Sequence, residues 1–191
     1  MASHSTADAE AAKVTIVGEE MVGKTSLHRV LCGTGPFEEK YRTTVGPPRP
    51  HTFTWPGTES PRSVQLVDTA GQLRMRNYTL SLSRSRLTPE HHTHSSGLPG
   101  SKGVWLTFDL SRAASFKQLE EEEWLRHINT KTGGGAVVML IGNKADQQRE
   151  VGADEAERWA DQHGLLYAEV SAKEPATVEA ALNTLLRAIP L

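Results

Sequence analysis

Residues Gly18–Thr25 read Gly-Glu-Glu-Met-Val-Gly-Lys-Thr, a full G-x-x-x-x-G-K-[ST] pattern, and they follow directly on the apolar run Val14-Thr15-Ile16-Val17. That order constrains the fold more than any other feature. A short buried strand feeds a glycine loop, and Ser26–Leu31 can continue as a helix. The glycines let the backbone curl so that consecutive N–H groups point inward at an oxyanion. Lys24 adds a charge for the outer phosphates, Thr25 a hydroxyl for Mg²⁺, and the helix N-terminus its positive dipole end.

The rest of the chain alternates apolar runs with helical periods. Val14–Val17 reads as the first strand and Lys24–Leu31 as the first helix. His51–Trp55 and Ser63–Val67 alternate on either side of Pro56-Gly57, a hairpin signal. Val104–Phe108, Ala136–Ile141 and Leu165–Val170 read as strands, and Ser115–Ile128, Asp154–Gln162 and Thr177–Ala188 as helices. Strands separated by helices imply right-handed crossovers and a mostly parallel sheet with helices on both faces. The hairpin adds one antiparallel edge strand. In such sheets ligands sit at the carboxyl ends of the strands, which is where the glycine loop falls. The four tryptophans, at 55, 105, 124 and 159, read as packing.

Composition narrows the class. With 191 residues the chain is expected to form one domain with a substantial core. A net charge of −2 offers no global field for nucleic acid or anionic lipid, so no nucleic-acid partner is expected. A single cysteine, Cys32, excludes an internal disulfide framework and fits a reducing compartment, and cytoplasm is the expected location. Met1–Ala12 shows neither a signal-peptide core nor a basic amphipathic pattern and is expected to be a disordered lead, with the domain spanning 13–191.

Three further strand ends carry chemistry that a nucleotide site needs. Asp68-Thr69-Ala70-Gly71-Gln72 follows Val64–Val67. An aspartate there can hold Mg²⁺ through water, and the glycine lets a backbone N–H approach a terminal phosphate. Gly142-Asn143-Lys144-Ala145-Asp146 follows Val137–Ile141, and its carboxylate can accept two hydrogen bonds from guanine that adenine cannot offer. Ser171-Ala172-Lys173 follows Tyr167–Val170, placing backbone near the guanine O6 and a lysine stem over the base.

With these four motifs in this order, the chain resembles the Ras superfamily of small GTPases over about Val14–Ile189, and it looks Rab-like but divergent. Tyr41-Arg42-Thr43-Thr44-Val45-Gly46 is similar to the first switch segment of Rab and Ran proteins. The resemblance implies an α/β three-layer P-loop NTPase fold, the Ras-type G domain, with a six-stranded, mostly parallel sheet. It implies a molecular switch that binds GTP and GDP with Mg²⁺ and hydrolyses GTP, in signalling of the vesicle-trafficking type. Gly18, Glu20, Met21, Val22, Gly23, Lys24, Thr25, Ser26, Thr44 and Gly71 would then contact the nucleotide at its phosphate end, and Phe37 would set an aromatic edge against the purine. Asn143, Lys144, Asp146, Ser171, Ala172 and Lys173 would read the base. Thr25, Thr44 and, through water, Asp68 would hold the metal. Gln72, Lys24 and Thr44 would carry catalysis, Gln72 by orienting water. Thr43 is a neighbour that could exchange roles with Thr44, and Phe37 could equally be a core aromatic. Implied partners are exchange factors, GTPase-activating proteins and effectors at the switch segments, some of them on endomembranes.

Several places depart from the pattern. Glu19-Glu20-Met21 stands where Ras and Rab proteins prefer small residues. Two adjacent glutamates ordinarily face solvent, but at the position of Glu20 a carboxylate opposes the terminal phosphate, so hydrolysis is expected to be slow. Gly46-Pro47-Pro48-Arg49-Pro50 is stiff and poor at strand pairing before His51, and Val67 replaces the usual Rab tryptophan. Residues 83–101, rich in Ser, Arg, His, Gly and Pro, read as a mobile insertion, where His91, His92 and His94 have no scaffold for a metal. The chain ends Ala188-Ile189-Pro190-Leu191 without the family's usual cysteine, so no prenyl membrane anchor is expected from it. Two rival readings remain: a non-catalytic guanine-nucleotide-binding scaffold, and a P-loop kinase or adenine NTPase.

Overall fold

In the computed structural model, the described residues are 11–35, 49–57, 61–69, 97–120 and 123–190. They form six strands and five helices: β1 (Ala12–Gly18), α1 (Lys24–Cys32), β2 (Arg49–Trp55), β3 (Arg62–Asp68), β4 (Gly103–Asp109), α2 (Ala113–Glu120), α3 (Glu123–Thr132), β5 (Val137–Asn143), α4 (Ala153–Gln162), β6 (Leu166–Glu169) and α5 (Pro175–Ala188). The strand order is β2-β3-β1-β4-β5-β6, and every pairing is parallel except β2 with β3. This is the expected mostly parallel α/β sheet, with the antiparallel pair at one edge.

The sheet's two faces bury separate cores. Val14 and Ile16 of β1, Trp105 of β4, and Met139 and Ile141 of β5 meet Leu27 and Leu31 of α1 and Val178, Leu182 and Leu185 of α5. Val17, Leu106, Phe108 and Leu140 point the other way, against Phe116 and Leu119 of α2, Ile128 of α3 and Trp159 of α4. Strands buried on both faces must be apolar at successive positions, which is why β1, β4 and β5 read as continuous hydrophobic runs. Fully burying one such leucine contributes about 1.5–3 kcal/mol, so the two layers supply most of the driving force. Among the described residues no helix is long and apolar enough to cross a membrane.

Some boundaries differ from those expected. Strand β1 already begins at Ala12, inside the segment expected to be a disordered lead, because Ala12 pairs with Val64 and is buried. Strand β5 runs on through Gly142 and Asn143, placing the first residue of the Asn-Lys-x-Asp motif inside the sheet. The helix expected over Ser115–Ile128 is covered by α2 and α3, with residues 121 and 122 outside the described ones.

Of the insertion expected over 83–101, only Gly97–Ser101 is described, and it is tied to β1. Thr15 donates its hydroxyl to the Gly97 carbonyl at 3.0 Å and shares a 2.7 Å hydrogen bond with Ser101, while Leu98 is wholly buried. The Thr69 hydroxyl donates to the next β1 carbonyl, Ile16, at 2.7 Å. Thr15 and Ile16 therefore hold the two described ends of the connection between β3 and β4.

Candidate nucleotide site

Strand register brings the motifs to one edge. Ile16 is level with Asp68, and Gly18 with Thr107, so β1, β3 and β4 finish together. Beyond β1 the chain turns through Glu19–Gly23 into α1. Gly18 has φ 143°, and a Cβ there would stand 2.1 Å from the Thr107 carbonyl oxygen. Gly23 takes φ 96° as the N-cap of α1, and a Cβ there would lie 2.2 Å from Asn143 Nδ2. A side chain at Gly18 would have to move the β4 backbone, and one at Gly23 would displace the Asn143 side-chain amide as well as strain its own backbone.

Within the loop Lys24 is buried, 5% exposed, and its ammonium donates to the Glu19 carbonyl at 2.5 Å. Burial pulls its pKa down to about 8, against the charges of Asp68, Glu19 and Glu20 that raise it, while Arg112 lowers it further. A buried cation held against its own desolvation cost is suited to receive an anion. Val22 is buried, whereas Met21 is exposed at φ 65°, an uncommon backbone setting for a side chain of its size. Two adjacent glutamates ordinarily both face solvent. Only Glu20 does so, and Glu19 is 3% exposed.

Thr25 and Asp68 meet where α1 begins and β3 ends, the Thr25 hydroxyl donating to Asp68 Oδ2 at 2.8 Å. Asp68 Oδ1 is buried and has no hydrogen-bond partner among the described residues. Burial pushes the Asp68 carboxyl above its ordinary range, although Thr25, His28, Lys24 and the Thr69 amide pull the other way. A half-satisfied buried carboxylate beside a hydroxyl is a hard-oxygen donor pair, the chemistry that Mg²⁺ takes. The residues present therefore suit that ion, Thr25 through its hydroxyl and Asp68 through water.

The residues expected to read the base stand at the ends of β5 and β6. Asn143 donates from Nδ2 to the Val22 carbonyl at 2.8 Å, tying the end of β5 to the glycine loop. Lys144, at φ 66°, sends its ammonium to Asp109 Oδ2 at 2.6 Å. Asp146 accepts the Ser171 hydroxyl at 2.7 Å and pairs with the Lys173 ammonium at 3.2 Å. Burial acts to raise the Asp146 pKa, but hydrogen bonds from Ser171 and Lys173 and the charge of Lys173 outweigh it and hold the carboxyl below its usual range. It is therefore an anion at neutral pH, able to accept hydrogen bonds. Ser171 and Ala172 are both buried, and the Lys173 amide donates to the Ser171 hydroxyl at 3.1 Å.

Thus Gly18, Glu20, Met21, Val22, Gly23, Lys24, Thr25, Ser26, Asp68, Asn143, Lys144, Asp146, Ser171, Ala172 and Lys173 lie along one edge of the sheet. Phe37, Thr44, Gly71 and Gln72 lie outside the described residues. The sequence reading missed two neighbours at the end of β4. Asp109, 3% exposed, holds both Lys144 and the Ser111 hydroxyl, the latter at 2.6 Å. Arg112 donates from Nη2 to the Glu20 carbonyl at 2.8 Å. The available signal was positional only: β4 is the strand beside β1, so its last residues must reach the loop.

Comparison with known proteins agrees with this arrangement. Residues 90–191 match the family described as "Ras family", and residues 13–88 match "Ras of Complex, Roc, domain of DAPkinase". Ras-related protein Rab-25 of Homo sapiens is 34% identical over 179 residues, covering 93% of this chain and 75% of its own length. Ras-related protein Rab-18 of Lymnaea stagnalis is 33% identical over 180 residues, covering 93% and 79%. For Ras-related protein Rab-1 of Theileria parva the figures are 31% over 180 residues, 93% and 73%. A six-stranded G-domain sheet, four motifs on its strand ends and likeness to Rab proteins over 93% of the chain have one common explanation: the chain is a divergent, Rab-like member of the Ras superfamily of small GTPases.

Proposed function

We propose that the protein is a Mg²⁺-dependent guanine-nucleotide switch that binds GDP and GTP at this sheet edge and hydrolyses GTP slowly. The observation that carries the reading is the Asn143–Val22 hydrogen bond, which joins a base-reading motif to a phosphate-binding loop as one rigid unit. Asp146 would accept from the guanine ring, with Lys173 and Ala172 beside it and Lys144 held by Asp109. The loop amides from Glu20 to Ser26 and the Lys24 ammonium would take the phosphates.

Thr25 and Asp68 would hold Mg²⁺, with Thr44 joining them in the GTP state. When bound, the ion offsets charge on the phosphate oxygens. Lys24 and the loop amides oppose the charge that develops as the terminal phosphate leaves, and Gln72 orients the attacking water. The exposed carboxylate of Glu20 adds like charge beside that phosphate, which is why turnover is slow. Phe37 would place an aromatic edge against the purine. The readout would be the difference between two switch conformations recognised by effectors, exchange factors and GTPase-activating proteins, in a cytoplasmic setting, with attachment to endomembranes through partners.

Calorimetry in magnesium buffer tests nucleotide binding: GDP is taken up far more tightly than ADP, and equal affinities sink the proposal. Single-turnover hydrolysis tests the chemistry. Two charges 4 Å apart in water repel by about 1 kcal/mol, so Glu20→Gly raises the rate about fivefold, and Gln72→Leu abolishes it. Wild-type phosphate release no faster than that of Gln72→Leu favours a non-catalytic scaffold instead.

A further inference from the structure

The glycine loop of this chain is held from outside by a residue with no place in its motifs. Arg112 lies in the turn between β4 and α2. Its backbone is fixed there, its amide donating to the Asp109 carbonyl at 3.0 Å and its carbonyl accepting the Ser115 hydroxyl at 2.8 Å. From that anchor its guanidinium donates to the Glu20 carbonyl, 92 positions away in sequence, at 2.8 Å. Arg112 Nε is buried and has no hydrogen-bond partner among the described residues, so the head group is pressed against the protein.

The bond falls on a sensitive peptide. The Glu20–Met21 peptide is trans, as is every peptide bond among the described residues, so its carbonyl and the following N–H point in opposite directions. Holding the Glu20 oxygen toward Arg112 therefore fixes the direction of the Met21 N–H. It also holds Met21 at φ 65°, a setting that strains a residue carrying a side chain and that a glycine would adopt freely. Lys24 holds the preceding carbonyl, that of Glu19, so two successive peptides of the loop are each gripped at their oxygen.

We propose that Arg112 is a positioning residue for the phosphate-binding loop, presetting the Met21 amide for the nucleotide's phosphates in place of the conformational freedom that a glycine would give. This rests on the nucleotide-binding reading above, with the phosphates of a guanosine di- or triphosphate as the ligand. Arg112 acts through the loop backbone and need not touch the nucleotide. Its positive charge, felt at Lys24, adds to the attraction for an anion.

Release of a fluorescent GDP and of the matching inosine diphosphate, in magnesium buffer, tests it on the full chain with Arg112→Ala and Arg112→Lys. Loss of a charge-assisted hydrogen bond to the loop speeds release of both nucleotides about tenfold in Arg112→Ala. The preference for guanine over hypoxanthine stays at its wild-type value, because the base end is untouched. Arg112→Lys, which keeps a cationic donor, slows release at least about threefold relative to Arg112→Ala. Unchanged release in Arg112→Ala, a collapse of base preference along with it, or no recovery in Arg112→Lys each overturns the proposal. Failure of the nucleotide reading itself would show separately, as wild-type protein with no preference for GDP over ADP.

Discussion

Asn143 donates its side-chain amide to the Val22 carbonyl at 2.8 Å, and that same nitrogen fills the space in which a Cβ on Gly23 would stand. The two motifs therefore interlock: the asparagine fits because residue 23 has no side chain. Removing the donor leaves a buried carbonyl unpaired, at a cost of about 1–3 kcal/mol. Asn143→Ala should lower the melting temperature and weaken GDP binding about tenfold to a hundredfold. Gly23→Ala should be worse, forcing the loop off the end of β5, and the purified variant should retain no nucleotide. Thermal denaturation and analysis of nucleotide carried through purification check both.

Asp109 is buried with Lys144 as one partner and Ser111 as the other. Asp109→Asn keeps the shape and an acceptor but removes the charge, whereas Asp109→Ala leaves Lys144 unsupported beside the base. The GDP-over-ADP preference, measured by calorimetry, should fall in the order wild type, Asn, Ala. The alanine variant should lose about tenfold, the effect of one charged hydrogen bond. Equal affinities in all three would show that Lys144 needs no such support.

Metal withdrawal should act through Asp68. Its second oxygen is buried without a hydrogen-bond partner among the described residues, so a divalent ion would relieve it as well as bridge to phosphate. Chelation should speed GDP release from wild type by at least about tenfold, and the same chelator should change release from Asp68→Asn much less. Stopped-flow fluorescence reads both rates.

Cys32 sets a pH window. Burial, with the Asp68 charge adding to it, pushes its thiol up to about 11 from the ordinary 9. The folded state thus favours the protonated thiol: that contribution to stability is complete below pH 9 and is lost as pH rises through about 11. Alkylation needs the thiolate, so at pH 8 iodoacetamide should modify Cys32 about a hundredfold more slowly than a free thiol. The rate should climb steeply only near pH 11, and a plateau reached by pH 9 would contradict the assignment.

Much of this was readable from the chain before folding. Strands β1, β4 and β5 are buried on both faces and so are written as mostly apolar runs, interrupted only by residues such as Thr15 and Thr107, and the motifs at the ends of β1 and β5 have fixed spacing. What stayed hidden depends on neighbours distant in sequence. Asp109-Leu110-Ser111-Arg112 follows no spacing rule, and its importance appears only when β4 lies beside β1. Glu19 and Glu20 look alike as letters, yet the turn buries one and exposes its neighbour. Lys24 in the sequence is a charge for phosphate; in the fold it is also a brace for the Glu19 carbonyl.

Thr15 and Ile16, adjacent on the central strand, tie down the returning and departing ends of everything between residues 70 and 96. The sheet thus makes fast the chain on either side of that stretch at two points a single residue apart. A change of length beyond Gln72 would leave both fastenings on β1 in place, and with them the strand that feeds the glycine loop.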